Sequence, residues 1–401
     1  MKKKKTIIII IAMLVIIFIT SLVISKNNEN TIKKRNISKV DYNFTFNFIK
    51  EVNKNRKDNY LVSPYSVEIA LNMLRDGTSG NSKKQIEDAL GKRVINNLSV
   101  NKNIKIANGL FVKDLYKKDI SNKYVKGLKN DYSADVIYDE FKTPKVINDW
   151  VNNKTDKMIP VLLDQVDSNF VLAIVNALAI NEEWENSFEC EKTIKDTFTK
   201  KDGSTIKVAM MNGTNNGTYF ETDNAKGVVL SYKSKNDKEG LEFIAILPND
   251  IDSYINNLNE EELKAIDSYK GNSESELRIA LPKFSYEYDL QDFMKVLQSM
   301  GIKDVFNPGA ANLSAMFKKD NDFYVSEAIH KTYIELDEKG TKAAASTAFV
   351  ISKNSAIEED YINIRFDKPF IYLIRDKKTK EILFFGKVLE PNKWEGNKCN
   401  G

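Results

Sequence analysis

The hydrophobic period of this chain changes along its length, and that change limits the folds open to it. In YNFTFNFIKEVNKN and SPYSVEIALNMLRDGTSGNSKKQIEDALG, apolar residues recur at three and four, the spacing of one helix face, and Ser63-Pro64 opens the second of these helices. Later segments read as strands: VLAIVNALAI, LEFIAILP, ELRIALPKFSYEY and KTYIELDEKG. The closing FIYLIRDKKTKEILFFGKVLEP reads as two β-rich runs joined by a turn at KKTK. Helices early and sheets late, with no internal repeat, predict an α+β body. With 401 residues, 42% of them hydrophobic, the chain can bury a large core, and length alone leaves the domain count open.

The N-terminus carries an address. Lys2 to Lys5 precede the uncharged run TIIIIIAMLVIIFITSLVIS, Thr6 to Ser25, which as a helix reaches roughly 30 Å, about one hydrocarbon thickness. Lysines before the run and most of the chain after it predict an inside N-terminus and an exported body. The run exceeds a usual signal core and no small-x-small cleavage site stands out, so residues 1–25 read as a signal anchor, with a cleaved signal peptide as the alternative. Residues 26–39, KNNENTIKKRNISK, are polar and without apolar period, a tether. The expected location is extracytoplasmic, anchored at the cell surface or secreted.

Several functional classes are poorly served. Sixty Lys and Arg against 56 Asp and Glu leave a net charge of +4, evenly scattered, which argues against nucleic acid as a partner. His330 is the single histidine, and no GxSxG or comparable nucleophile motif stands elsewhere to complete a triad with it. One His and two Cys also exclude HExxH and paired CxxC zinc motifs, so no metal site is expected. Cys190 and Cys399 lie far apart in sequence and read as two unpaired thiols. The expectation is a protein that is not an enzyme and needs no cofactor.

Four stretches carry a family resemblance. NYLVSPYSVEIALNMLRDGTSG, Asn59 to Gly80, holds Asn, Ser-Pro-x-Ser, Ala-Leu and a glycine at fixed offsets. INDWVNNKTDKMIPVLL, Ile147 to Leu163, follows, and then VNALAINEEWENSFECEKTIKDTFTKKDGSTIKVAMM, Val175 to Met211, with Asn-Ala, Trp, Phe, Thr, Phe and Met-Met landmarks. FDKPFIYLIRDKKTKEILFFGKVLEP, Phe366 to Pro391, closes the set. Together they resemble the serpins, the serine protease inhibitor superfamily, and of its members the inhibitory, bacterial-looking type. Asn181-Glu182 departs from the family's usual Lys-Gly before Trp184. The resemblance implies one domain over residues 40–395, about nine helices around three β-sheets, with an exposed reactive-centre loop near 338–360. It also implies a metastable monomer whose loop can join the large sheet as an extra strand. About 14 inserted residues, at roughly 0.5 to 1.5 kcal/mol net per hydrogen bond, would release on the order of 10 kcal/mol.

ELDEKGTKAAASTAFVISKNSAIEEDYINIRFDKPF holds the parts that the resemblance assigns to the loop. Glu338, Gly340, Thr341, Ala343, Ala344 and Ala345 correspond to the hinge. The period-two reading from Thr341 gives small residues that slide between strands, and no proline removes an amide donor between Glu338 and Pro369. The family's offset from Gly340 places the reactive bond at Asn354-Ser355, with Lys353-Asn354 as the alternative register. His330 corresponds to the histidine of the sheet's shutter, with Ser63, Ser66 and Asn176 as partners. Glu338 and Lys283 correspond to a salt bridge at the breach beside Trp184. The implied function is a suicide-type inhibitor of a serine or cysteine endopeptidase. The alternative is a non-inhibitory serpin that binds or chaperones.

Overall fold

The computed structural model describes residues 41–396, apart from 55, 92–97, 99–102, 168–169, 235–238, 270–275, 319–322 and 342–360. The N-terminal run, the tether and most of the expected reactive loop therefore lie outside the described residues. Chain contacts separate Met1–Lys39 from Val40–Gly401, and every element below belongs to the second unit.

The first part is mainly helical, as the periodicity predicts. Helix α1 (Asn43–Asn53) buries Phe44, Phe48, Ile49 and Val52 on one stripe, and the short strand β1 (Tyr60–Val62) leads from it into α2 (Pro64–Gly77). Pro64 stands in the first turn of α2, and the Ser63 side chain caps the helix by accepting from the Ser66 N–H at 3.2 Å. Helix α3 (Gly80–Leu90), β2 (Ile104–Lys113), α4 (Asn122–Tyr132), β3 (Asp135–Asp139) and α5 (Lys145–Lys154) follow. The strand-rich part then runs through β4 (Leu172–Ile180), β5 (Glu182–Glu183), β6 (Ile194–Thr199), β7 (Thr205–Asn215), β8 (Thr218–Glu221), β9 (Ala225–Ser231) and β10 (Leu241–Pro248). After α6 (Ile251–Asn256) and α7 (Glu260–Ser268) come β11 (Glu276–Pro282), β12 (Phe284–Asp289) and α8 (Phe293–Ser299). The chain closes with β13 (Lys331–Leu336), β14 (Gly340–Thr341), β15 (Tyr361–Arg365), β16 (Phe370–Asp376) and β17 (Ile382–Val388).

The strands form a six-stranded sheet β1-β17-β16-β10-β9-β8, a four-stranded sheet β15-β11-β7-β6, a four-stranded sheet β12-β13-β14-β5 and a three-stranded sheet β3-β2-β4. The hairpin expected at KKTK is present as β16 and β17, paired antiparallel from Phe370 opposite Val388 to Arg375 opposite Ile382. Arg375 of this hairpin is 1% exposed and is neutralised by Glu242, 2.6 Å from its Nε, and by Asp267. A buried cation survives there because both carboxylates are bonded to it. The described residues contain eight α-helices, and the body is a mixed α+β fold.

Two of the sheets are halves of one surface. Strand β4 continues through Asn181 into β5, so β3-β2-β4 runs into β5-β14-β13-β12. Below β14, no pairing joins β4 to β13 among the described residues. Met158 and Ile159, just beyond α5, cover that seam over a void of about 10 Å³ bounded by Leu178 to Ile180, Tyr333 to Glu335 and Thr341.

Candidate functional site

The upper end of the seam is built from a tight turn. Asp337 to Gly340 reverses the chain between β13 and β14, with Asp337 N–H donating to the Gly340 carbonyl at 2.9 Å and Asp337 Oδ1 accepting from the Lys339 and Gly340 N–H groups. Asp at the first position and Gly at the last is the composition such a turn favours. Gly340 has φ of +157°, and a Cβ there would stand 2.0 Å from the Glu182 carbonyl oxygen. Only glycine lets β14 enter so close to β5. Gly340 then lies opposite Glu183, and Thr341 lies between Glu182 and Leu336.

Glu338, at the head of this turn, is 6% exposed and gripped on both oxygens. Lys283 Nζ donates to Oε2 at 2.9 Å and Thr193 Oγ1 to Oε1 at 2.8 Å, while Phe188 N–H reaches the Glu338 carbonyl at 2.9 Å. Burial alone would raise this carboxyl, but the Lys283 bond, the backbone and Thr193 outweigh it and hold the group below its ordinary range. Trp184, 1% exposed, closes the turn from above: its backbone N–H donates to the Lys339 carbonyl at 2.8 Å and its indole N–H to the Asp337 carbonyl at 2.9 Å. The indole stacks on Tyr232 at 4.6 Å, and the Tyr232 hydroxyl hydrogen-bonds Thr341 Oγ1 at 2.6 Å. Glu338, Lys283 and Trp184 thus meet in space, together with Thr193 and Tyr232. Sequence reading missed those last two, because each sits in a connecting segment beside a strand end, with no local pattern to tie it to Glu338. The Asp337-to-Gly340 turn did have a signal, in DEKG.

A second polar cluster lies further down the seam. His330, 7% exposed, accepts from the Ser63 backbone N–H through Nε2 at 3.0 Å. Its ring packs against Phe48 and Phe293 at 6.1 and 5.5 Å. Asn176 of β4 accepts from the Ser66 hydroxyl and donates to Asn108 Oδ1 of β2 at 2.5 Å. His330 and Asn176 do not bond each other; Ser63 and Ser66, at the start of α2, stand between them. Burial pushes the imidazole down from 6.5 to about 4, so it is neutral and free to accept.

Cys190, expected as an unpaired thiol, is disulfide-bonded, which corrects that reading. Separation in sequence was a poor guide because the C-terminal segment returns to this region's own sheet. Lys393 bridges to Val208, and Trp394 N–H donates to the Lys207 carbonyl at 2.7 Å. Cys399, Ala343, Ala344, Ala345, Lys353, Asn354 and Ser355 lie outside the described residues.

A family model described as Serpin (serine protease inhibitor) matches residues 39–391. The chain belongs to the serpin family. Leukocyte elastase inhibitor of Xenopus laevis is 31% identical to this serpin over 386 residues, covering 89% of this chain and 100% of that protein. Plasminogen activator inhibitor 1 of Neovison vison is 32% identical over 373 residues, covering 87% and 91%. Among solved structures, the thermophilic serpin Tengpin in its native state matches with a TM-score of 0.75 and 32% identity, over 88% of this chain and 96% of that one.

The lowered His330 value has a pH consequence. The unfolded imidazole takes a proton near 6.5 and the folded one near 4, so the stability it contributes is full above 6.5 and is lost as pH falls towards 4. The slope is up to about 1.4 kcal/mol per pH unit. Melting temperature followed from pH 7.5 to 4 should therefore drop more steeply in the wild type than in His330→Gln. Parallel curves would show that this imidazole does not control the cluster.

Proposed function

We propose that this serpin is a one-use inhibitor of a serine or cysteine endopeptidase, acting from the outer side of a membrane. The observation that carries the inhibitory reading is the seat of β14. Gly340 and Thr341 already lie between β5 and β13, and below them no pairing joins β4 to β13 among the described residues, so the chain after Thr341 has a lane to follow. Its two inhibitor relatives support the same class of activity.

In this mechanism the protease nucleophile attacks the carbonyl carbon of Asn354, with Lys353 as the alternative. The Asn354-Ser355 amide breaks, its nitrogen takes the proton, and the acyl group stays on the enzyme. The freed loop then fills the lane from Thr341 downward and draws the acylated protease with it. A displacement of about 1 Å in the protease's catalytic groups slows deacylation about 100-fold, enough to trap it. Glu338 with Lys283, Thr193 and Trp184 acts as the breach that fixes where insertion starts. His330, Ser63, Ser66 and Asn176 act as the shutter lower down.

Membrane attachment rests on the Thr6 to Ser25 run, since among the described residues no helix is long and apolar enough to cross a bilayer. Fractionation of cells expressing the full chain should leave the mature protein on the membrane with residues 1–25 present. Recovery from the medium with residues before Lys26 removed would replace the anchor with a secreted inhibitor.

Thr341 is 4% exposed, so Thr341→Arg places an unpaired charge in the mouth of the lane at a cost of several kcal/mol. Against a panel of serine and cysteine proteases, the wild type should form SDS-resistant complexes, whereas the variant should be cut in the loop and released. A wild type that is cut by the panel without complex formation would leave a binding-only protein.

A further inference from the structure

Away from the seam, the turn after β2 carries an unusual combination. Leu115 is 73% exposed, the highest value for a large apolar side chain among the described residues. It is flanked by Lys113, Asp114, Lys117 and Lys118. The turn is fixed rather than loose. Tyr116 packs edge-on against Phe323 at 5.0 Å, Lys117 Nζ sits 4.8 Å from the Tyr138 ring centre, and Lys318 Nζ donates to the Lys118 carbonyl at 2.8 Å. Directly after it, Ser121 caps α4, whose exposed face presents Lys123 and, one turn on, Lys126.

These lysines are distinguished by what surrounds them. Several lysines elsewhere on helices are paired, as Lys84 is with Asp88, Lys145 with Asp149 and Lys264 with Glu260. Among the described residues, no carboxylate lies within ion-pair distance of Lys117, Lys118, Lys123 or Lys126. From Lys113 to Lys126 the sequence carries five lysines, Lys113, Lys117, Lys118, Lys123 and Lys126, against two acidic residues, Asp114 and Asp119. A net positive field around a protruding leucine is therefore presented to solvent.

We propose that this patch docks on the surface of an anionic lipid bilayer, with Leu115 entering the headgroup boundary and the lysines meeting lipid phosphates. Charge alone would suit any polyanion. Leu115 favours lipid, because an apolar side chain at the centre of the patch gains free energy from an acyl boundary and gains none against a sulfated sugar chain. Each lysine held near an anionic surface strengthens docking about fivefold, so four together contribute on the order of 100-fold or more. The inference stands on this patch alone and uses neither the inhibitory reading nor the N-terminal run.

The test uses the full chain in vesicles whose acyl chains are brominated, with Leu115→Trp as the local probe and the wild type, with its three tryptophans, as background. In vesicles containing phosphatidylglycerol, the added emission should shift to the blue and fall about twofold by contact quenching, whereas in pure phosphatidylcholine it should do neither. Adding Lys117→Glu, Lys118→Glu, Lys123→Glu and Lys126→Glu should restore the emission while circular dichroism and melting temperature stay unchanged. Emission that is the same in both lipids overturns the proposal. So does a response to soluble dextran sulfate without any response to anionic vesicles, which would assign the patch to polysaccharide.

Discussion

The Glu338 side chain and backbone tie together three parts of the molecule that lie far apart in sequence. Lys283, between β11 and β12, and Thr193, just before β6, each hold one of its oxygens, and its own backbone carbonyl is taken by Phe188. A carboxylate this buried is tolerable only because every bond made to it stabilises the charged form. With Glu338 fixed, the turn that follows has one direction available: Gly340 passes close against the Glu182 carbonyl because it has no Cβ to clash, and Thr341 is thereby set between Glu182 and Leu336. Trp184 and Tyr232 then close over Thr341.

The rest of the large sheet is arranged around that wedge. Strand β4 is well held on its far side, where nine residue pairs join it to β2, and β13 is held by β12 along its whole length. Between β4 and β13 the cover is side-chain packing from Met158 and Ile159, and the smaller core of Phe111, Ile147, Val151, Ile159, Val175 and Ala177 binds α5 to the strands beneath. Packing of this kind can be repacked without leaving a backbone donor stranded, so a new strand can enter at modest cost. By contrast, β16, β17 and β10 form a continuous ladder locked by the buried Arg375 cluster. The proposed insertion would thereby be confined to one sheet while this ladder stays fixed.

Much of this could be read in the sequence, though unevenly. Helix α2 and its cap were legible because Ser63 and Pro64 act on the residues next to them, and the β16-β17 hairpin because KKTK separates two β-rich runs. The meeting of Glu338, Lys283 and Trp184 was accessible through family resemblance alone, since nothing local links residues up to 154 positions apart. Tyr232 and Asn108 carried no signal of either kind, and each is placed by cross-strand contacts, whereas Thr193 lay inside a family-like stretch without anything to tie it to Glu338. The break of one strand at Asn181 into β4 and β5 coincides with the departure noted at Asn181-Glu182, where Glu182 is buried against Asn103 at 3.2 Å. The disulfide at Cys190 was misread because the return of the C-terminal segment along β7 is a tertiary fact.

The central claim is that the lane between β4 and β13 accepts the chain that follows Thr341. Limited proteolysis within residues 342–360, followed by thermal unfolding of the cut protein, tests it most directly. If the freed segment pairs with both strands, the cut protein should melt well above the intact one, by the free energy of roughly a dozen new backbone hydrogen bonds at about 0.5 to 1.5 kcal/mol each. A cut protein that melts at or below the temperature of the intact chain would contradict the account.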